Sequence, residues 1–292
     1  MKDIIRKAEI LIEALPFIRN FYGKTVVIKY GGAAQTKSEL KESFAKDVVM
    51  LNFIGVKTVI VHGGGPKISA TMEKMGKKPE FVHGQRVTDQ ETMDIVEMVL
   101  GGLVSKEIVA LINKHGGRAV SLSGKDGSLI QAQKMITKLT PETDVSEIVD
   151  IGLVGEVTSI SPDIINSLER DGFIPVISPI GVGPQGETLN INADFVAAAV
   201  AAALKAEKLL LLTDVPGILD KKGAIMSTLK KGQISRLIKD KTIKGGMLPK
   251  VQACLNALSR GVGKTHIVDG RVPHCLLLEI FTIEGIGTEI LN

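Results

Sequence analysis

Six apolar runs rich in β-branched residues punctuate the chain at 25–30, 57–62, 118–122, 174–180, 208–213 and 265–268, each with the length of a buried strand. Most lead into glycine-rich turns and then into segments with helical spacing, at 38–54, 66–76, 89–115, 161–171, 193–206, 228–239 and 246–260. Apolar strands alternating with helices predict an α/β fold. It should be a three-layer sandwich, with an open, mostly parallel central sheet covered on both faces. Between 127 and 158 the helical period is lost and short β-like pieces replace it. That stretch reads as antiparallel hairpins at the sheet edge, placed to serve as a lid over a substrate. At the start, Ile4, Ala8, Leu11, Leu15 and Ile18 recur at helical spacing, while Asp3, Glu9 and Glu13 interrupt any signal-peptide core. An amphipathic helix is expected there.

Composition narrows the partners. With 292 residues, the chain can bury roughly 75% of its unfolded surface, so the core needs no disulfide or metal staple. No fixed-period repeat, low-complexity tract or Pro/Ser linker breaks it, which predicts one continuous domain. The absence of Trp and the presence of only two Tyr argue against a stacking platform for single-stranded nucleic acid. A net charge of +4, spread along the chain, is too dispersed for a DNA-binding stripe and leaves small anions as the natural partners. No run approaches about eighteen apolar residues, so no membrane span is expected. Cys254 and Cys275 lack any CxxC or Cys/His spacing, which points to a reducing cytoplasm and to no zinc site.

Three nucleotide signatures fail when tested. "YGKT" at 22–25 and "VGKT" at 262–265 end like a P-loop, but Ile18 and Leu258 stand where its first glycine belongs. "GVGPQG" at 181–186 spells G-x-G-x-x-G, yet Pro184 removes a backbone donor and "ETLNIN" separates the last glycine from the helix. Two other clusters fit an anion better. "KTVVIKYGG" and "KTVIVHGGGP" each bring glycines to the carboxyl end of a strand, where main-chain N–H groups can converge without a Cβ in the way. Pro66 suits the first turn of the helix that follows the second cluster. A single such cluster is equally an ordinary tight turn, and Lys29 alone would read as a solvated charge. In an otherwise apolar strand, beside exposed amides, its placement suits a phosphate. "NINADFVAAAVAAAL" offers Asn190, Asn192 and Asp194 ahead of a small-residue helix, more polar groups than one N-cap requires. "LLLLTDVPGIL" ends a strand in Thr213 and Asp214, which also suit a Pro-Gly turn. "KTIKGGMLPKV" places Gly245, Gly246 and Lys250 at a helix start, an end that favours anions.

Taken in order, "VVIKYGGAA", "VIVHGGGPKI", "GQRVTD", "LNINADFVAAAVA", "LLTDVPGIL" and "GGMLPKV" resemble the amino-acid kinase family over essentially the whole chain. "HGGGPKI" with "NINAD" resembles the branch acting on N-acetyl-L-glutamate more than those acting on glutamate, aspartate or UMP. The resemblance implies transfer of the γ-phosphoryl of ATP to the side-chain carboxylate, as a step of L-arginine biosynthesis. A carboxylate is already ionised at neutral pH, so no general base is needed, and His62 and His83 are left out of the chemistry. Matching positions imply Lys29 and Lys250 on the phosphoryl oxygens, with Asp194 orienting both. Gly31 and Gly32 would donate amides to the transferring group. Gly64 and Gly65 would hold the acceptor's reacting end, Arg86 its α-carboxylate and Asn190 its acetylamino end. Thr213, Asp214, Gly246 and Met247 fall where the family holds nucleotide. Mg2+ is expected on phosphates and water, since no carboxylate cluster is evident.

The resemblance also divides the domain by role. Residues 1–22 match an oligomerisation helix found in arginine-inhibited relatives, 23–190 an acyl-substrate half, and 191–292 a nucleotide half with a C-terminal effector segment. It implies a homohexamer built as a trimer of dimers and feedback inhibition by L-arginine, with Glu279 facing the guanidinium and Tyr22 covering it. Two alternatives stay open: a kinase for N-acetyl-aminoadipate, one methylene longer, and a non-catalytic arginine sensor. The sensor is expected to lack a catalytic lysine or the aspartate, and this chain has Lys29, Lys250 and Asp194.

Overall fold

Period-two alternation in the buried strands decides how the layers form. The computed structural model describes residues 1–139 and 147–292. Its main sheet contains β1 (Thr25–Tyr30), β2 (Lys57–His62), β3 (Ala119–Ser123), β4 (Ile174–Ser178), β5 (Lys208–Thr213), β6 (Thr228–Lys230), β7 (Lys264–Asp269) and β8 (Thr288–Leu291). On one face, Val26, Ile28 and Tyr30 of β1 share a core with Phe44, Val48, Met72, Val96, Ile112 and Leu276. On the other, Val27 joins Ile165, Val196, Ala197, Ile234, Val251 and Cys254. Both faces of β1 are therefore apolar and both are covered, as its uninterrupted Val/Ile run requires. Full burial of each such side chain contributes about 1.5–3 kcal/mol.

The spatial order is β6-β8-β7-β5-β1-β2-β4-β3, with β8 antiparallel to β7 and the six strands from β7 to β3 parallel. β1 sits in the middle. The first half of the chain builds outward from it through β2, and the second half through β5, so the order reverses at β1. In open parallel sheets the crevice beyond the carboxyl ends of the strands at such a reversal receives the ligand. Lys29, Gly63 and Thr213 all come from those ends.

All six strands expected from the sequence are present. The hairpin pieces predicted between 127 and 158 are also strands: Thr137–Leu139 pairs with Glu147–Val149, and Ile130–Lys134 pairs antiparallel with Val154–Ile160, both of which also join the next hairpin. Ile130–Lys134 and Val154–Ile160 close a small barrel with Ile180–Val182 and Thr188–Ile191. Gly181 lets that barrel close, because a Cβ there would lie 2.6 Å from Ile191 Cδ1. The barrel leaves the main sheet after its edge strand β3. Part of the predicted lid, 140–146, lies outside the described residues.

Two predicted helices differ. The 89–115 segment is Gln90–Glu97 and Ser105–Lys114 joined by a π-helical turn, Met98–Val104. The 228–239 segment opens as strand β6, and its helix begins at Lys231. Leu229 is buried there and Thr228 and Lys230 are exposed, a pattern too short to distinguish from a helix start in sequence. The N-terminal helix is Lys2–Phe21 and is exposed along most of its length. No helix among the described residues is long and apolar enough to cross a membrane.

Candidate functional site

Three segments distant in sequence deliver one charged cluster. β1 carries Lys29 to the carboxyl edge of the sheet. The helix Ala193–Ala203 starts beside it because the Asn192 side chain accepts the Asp194 N–H at 2.8 Å, capping the first turn. The helix Met247–Ser259 brings Lys250 in its own first turn. The two helices approach closely because their facing residues, Ala197, Ala201, Ala253, Cys254 and Ala257, are small. Lys29 Nζ lies 2.9 Å from Asp194 Oδ1, and Lys250 Nζ lies 2.8 Å from Oδ2. The Lys250 contact is a hydrogen bond, whereas Lys29 meets its oxygen as a close ion pair outside hydrogen-bond geometry.

The electrostatics of this cluster are set by burial. Burial works against the charge on Asp194, but the two ammonium groups outweigh it and hold the carboxyl down at about 2. For Lys29 the balance runs the other way. Burial lowers its pKa, Asp194 resists, and Lys250 adds to the fall. One carboxylate shared by two cations leaves a net positive charge in a nearly dry site, and such a site attracts a phosphoryl group.

The two glycine turns flank this cluster. The Gly63 N–H donates to Tyr30 O at 2.8 Å, so the second turn is tied to the end of β1. A Cβ at Gly31 would lie 3.0 Å from Lys29 Nζ, so this glycine leaves room for the lysine to lie across the turn. Gly32 has φ +62, the left-handed region that glycine adopts most easily, and opens the short helix Gly32–Gln35. Gly64 admits the π-helical turn, since a Cβ there would be 2.6 Å from Leu100 Cδ2. Gly65 opens the helix Gly65–Lys74, with Pro66 in its first turn.

A cleft of about 570 Å³ runs away from the charged cluster. Lys29, Asp194 and Lys250 line one part of it, together with Gly64, Gly65, Arg86 and Asn190. Arg86 is buried, with Nη2 donating to Gly65 O at 3.1 Å and to Ser69 Oγ at 2.8 Å, and its guanidinium lies 4.7 Å from the Phe81 ring centre. The Asn190 side chain donates to Thr88 Oγ1 at 3.3 Å, and Thr88 in turn donates to Arg86 O at 2.8 Å. Met135, Val154 and Val157, from the barrel and the segment beside it, supply apolar wall. The cleft is thus cationic at one end, carries a guanidinium at another point, and has an amide between apolar surfaces.

Gly31, Gly32, Thr213, Asp214, Gly246 and Met247 are not part of the lining of this cleft. Thr213 and Asp214 stand at the end of β5, with the Thr213 hydroxyl donating to Asp214 Oδ1 at 3.2 Å. Gly246 precedes the helix that Met247 begins. Glu279 lines a separate cleft of about 290 Å³ with Phe17, Lys208, His266 and Gly287. One of its oxygens lies 2.6 Å from His266 Nδ1, and the other accepts the Ile286 and Gly287 N–H groups. Burial tends to raise the Glu279 pKa, but the His266 and backbone hydrogen bonds take it below its ordinary value. Tyr22 is 71% exposed and lies outside that cleft's lining. Sequence reasoning missed Ser69, Thr88 and Gln35. Ser69 sits one turn beyond Gly65 and Thr88 two positions beyond Arg86, so helix and strand spacing offered a signal for both. Gln35 had none, because its contacts depend on the tertiary placement of two turns.

The amino acid kinase family model matches residues 24–269. The chain is 59% identical over 286 residues to the acetylglutamate kinase of Syntrophus aciditrophicus (strain SB), covering 98% of this chain and 97% of that relative. Among solved structures, N-acetylglutamate synthase from Neisseria gonorrhoeae, complexed with coenzyme A and N-acetyl-glutamate, superposes with a TM-score of 0.84 at 26% identity. That match covers 98% of this chain but 63% of the synthase, so the chain spans under two thirds of that protein. The same synthase complexed with coenzyme A and L-arginine gives a TM-score of 0.80 at 24% identity, covering 97% of this chain and 65% of that one. With a family model spanning both halves of the sheet and a full-length relative of this identity, the chain belongs to the amino acid kinase family.

Proposed function

We propose that this chain transfers the γ-phosphoryl group of ATP to the side-chain carboxylate of N-acetyl-L-glutamate, giving N-acetyl-L-glutamyl 5-phosphate and ADP in the course of L-arginine biosynthesis. The observation that carries this reading is the Lys29–Asp194–Lys250 cluster between two glycine turns, with Arg86 and Asn190 in the same cleft. An acceptor with two carboxylates and an acetylamide matches that arrangement group for group. A carboxylate oxygen attacks the γ-phosphorus in line while the bond from that phosphorus to the bridging oxygen breaks, and ADP leaves with the electron pair. No proton moves in the transfer. Catalysis therefore consists of bringing two anions together and spreading the charge of the transferred group.

Lys29 and Lys250 meet the phosphoryl oxygens, and Asp194 aims both lysines. Gly31 and Gly32 donate amides to the transferring group, Gly64 and Gly65 hold the attacking carboxylate, Arg86 takes the α-carboxylate and Asn190 the acetylamide. Thr213, Asp214, Gly246 and Met247 hold the nucleotide, so that 23–190 is the acceptor half and 191–292 the nucleotide half. Asp194 is committed to two lysines, which fits Mg2+ carried on the phosphates of ATP and on water. There it would share phosphate charge with the lysines.

We further propose that L-arginine inhibits the reaction from the Glu279 cleft, next to the N-terminal helix, and that this helix assembles the chain as a hexamer in the cytoplasm. Ile4, Ile10, Leu11, Ile12 and Leu15, each at least half exposed, support the assembly. The synthase solved with L-arginine supports the effector. An ATP-dependent hydroxamate assay across N-acetylglutamate, glutamate, aspartate and N-acetyl-aminoadipate tests the reaction. N-acetylglutamate should be the preferred acceptor, and turnover of free glutamate without the acetylated form would refute the assignment. Saturating L-arginine should raise the substrate midpoint or lower the rate, and no change at several pH values would remove the effector.

A further inference from the structure

A buried polar cluster lies against the second glycine turn, and the transfer described above makes no use of it. His62 is the last residue of β2 and is fully buried. Its Nδ1 lies 3.1 Å from Gly63 O and its Nε2 lies 2.8 Å from Ser105 Oγ. Ser105 Oγ is in turn 3.0 Å from Ser178 Oγ. A carbonyl oxygen can only accept, so Nδ1 carries the ring proton and Nε2 accepts from the Ser105 hydroxyl. With the Ser105 proton on Nε2, the single Ser178 hydroxyl proton has Ser105 Oγ at 3.0 Å and Leu100 O at 3.4 Å as acceptors, and Ser178 Oγ also lies 3.3 Å from Nε2. One tautomer satisfies every member of the chain. Burial pushes the imidazole pKa down to about 4, so the ring is neutral where the enzyme works.

Gly63 is the residue on which these contacts converge. Its carbonyl also accepts Gln35 Nε2 at 3.2 Å, and Gln35 donates as well to Tyr30 O at 3.2 Å. Its N–H is held by Tyr30 O. Glycines carry no side chain to restrain them, so the direction of the amides in this turn depends on such outside anchors. Ser105 opens the helix that follows the π-helical turn, and Ser178 ends β4. The clasp thereby joins the turn to two further elements, the helix Ser105–Lys114 and β4.

We propose that His62 is a positioning residue: with its tautomer set by Ser105, it donates Nδ1–H to the Gly63 carbonyl and so fixes the direction of the Gly64 N–H, which shares a peptide plane with that carbonyl and meets the acceptor carboxylate. The inference rests on the reading of that turn as the acceptor's site. Steady-state kinetics of the full chain test it with three variants. His62→Phe keeps the ring volume and donates nothing, His62→Asn returns an amide donor near the Nδ1 position, and Ser105→Ala removes only the hydroxyl that orders Nε2. His62→Phe should raise the acceptor KM about tenfold and leave the ATP KM within about twofold. His62→Asn should recover part of that loss, and Ser105→Ala should raise the acceptor KM by a smaller factor.

An unchanged acceptor KM in His62→Phe, a loss shared equally with ATP, or Asn performing no better than Phe would overturn the role. If His62→Phe fails to fold, Ser105→Ala decides alone, and an unaltered acceptor KM there counts against the proposal. Wild-type turnover of N-acetylglutamate, run alongside, checks the functional reading separately. If the wild type used a different carboxylate, the same KM comparison would be made on that one.

Discussion

Asp194 is the residue on which the site's charge balance depends. Removing its charge leaves two ammonium groups facing each other in a buried place, with nothing to aim them. Asp194→Asn should lower kcat by about 10²–10³-fold, read by initial rates at saturating substrates. The carboxyl is held at about 2, below its ordinary value, so its contribution to stability is present above the usual carboxylate range and lost as pH falls through that point. Lys29 titrates on the other side. Its pKa lies below that of an ordinary lysine because burial outweighs Asp194, and the transfer needs it charged. The kcat profile should therefore fall on its alkaline side, at a lower pH than an ordinary lysine would set, and Lys29→Arg should move that limb to higher pH. A limb that stays in place in Lys29→Arg would point to an acid–base group that this account lacks. Lys29 and Asp194 stood out in sequence as a charge in an apolar strand and a surplus polar group at a helix start. Their pairing did not, because spacing reveals which face a residue occupies and not what it meets across the fold.

At the scale of elements, the six long strands were legible because each is a buried Val/Ile/Leu run bounded by turns. The main-sheet strands missed, the edge strand β6 and its neighbour β8, are short and their pairing is non-local, so no local period announces them. The π-helical turn was hidden for a related reason: Met98–Val104 reads as continuous helix, and its widening is tied to the approach of Leu100 and Val104 to Gly64. The two glycine turns look alike in sequence but meet different neighbours, and that difference is testable. Gly31→Ala would set a Cβ against Lys29 Nζ and should lower kcat about tenfold with little change in the acceptor KM. Gly64→Ala would press a Cβ into Leu100 and should act chiefly on the acceptor KM. Equal effects of both substitutions on both constants would contradict the division of labour between the turns.

For the whole molecule, the sheet order puts the proposed acceptor and nucleotide sites at the carboxyl ends of strands around β1, the acceptor on the β2 side and the nucleotide on the β5 side. The N-terminal helix stands apart from this arrangement and leaves most of its apolar side chains exposed, with Phe21 at its end buried in the core. A chain lacking residues 1–22 should keep its turnover, lose its response to L-arginine, and run as a smaller assembly in light scattering. The central claim concerns the nucleophile, and one isotope experiment reaches it directly. N-acetyl-L-glutamate labelled with 18O in its side-chain carboxylate is turned over with ATP while hydroxylamine traps the acyl phosphate. The phosphate released on trapping should carry one 18O atom from the acceptor, since that oxygen bridges carbon and phosphorus in the product. Phosphate free of label, with hydroxamate still formed, would contradict attack by the carboxylate.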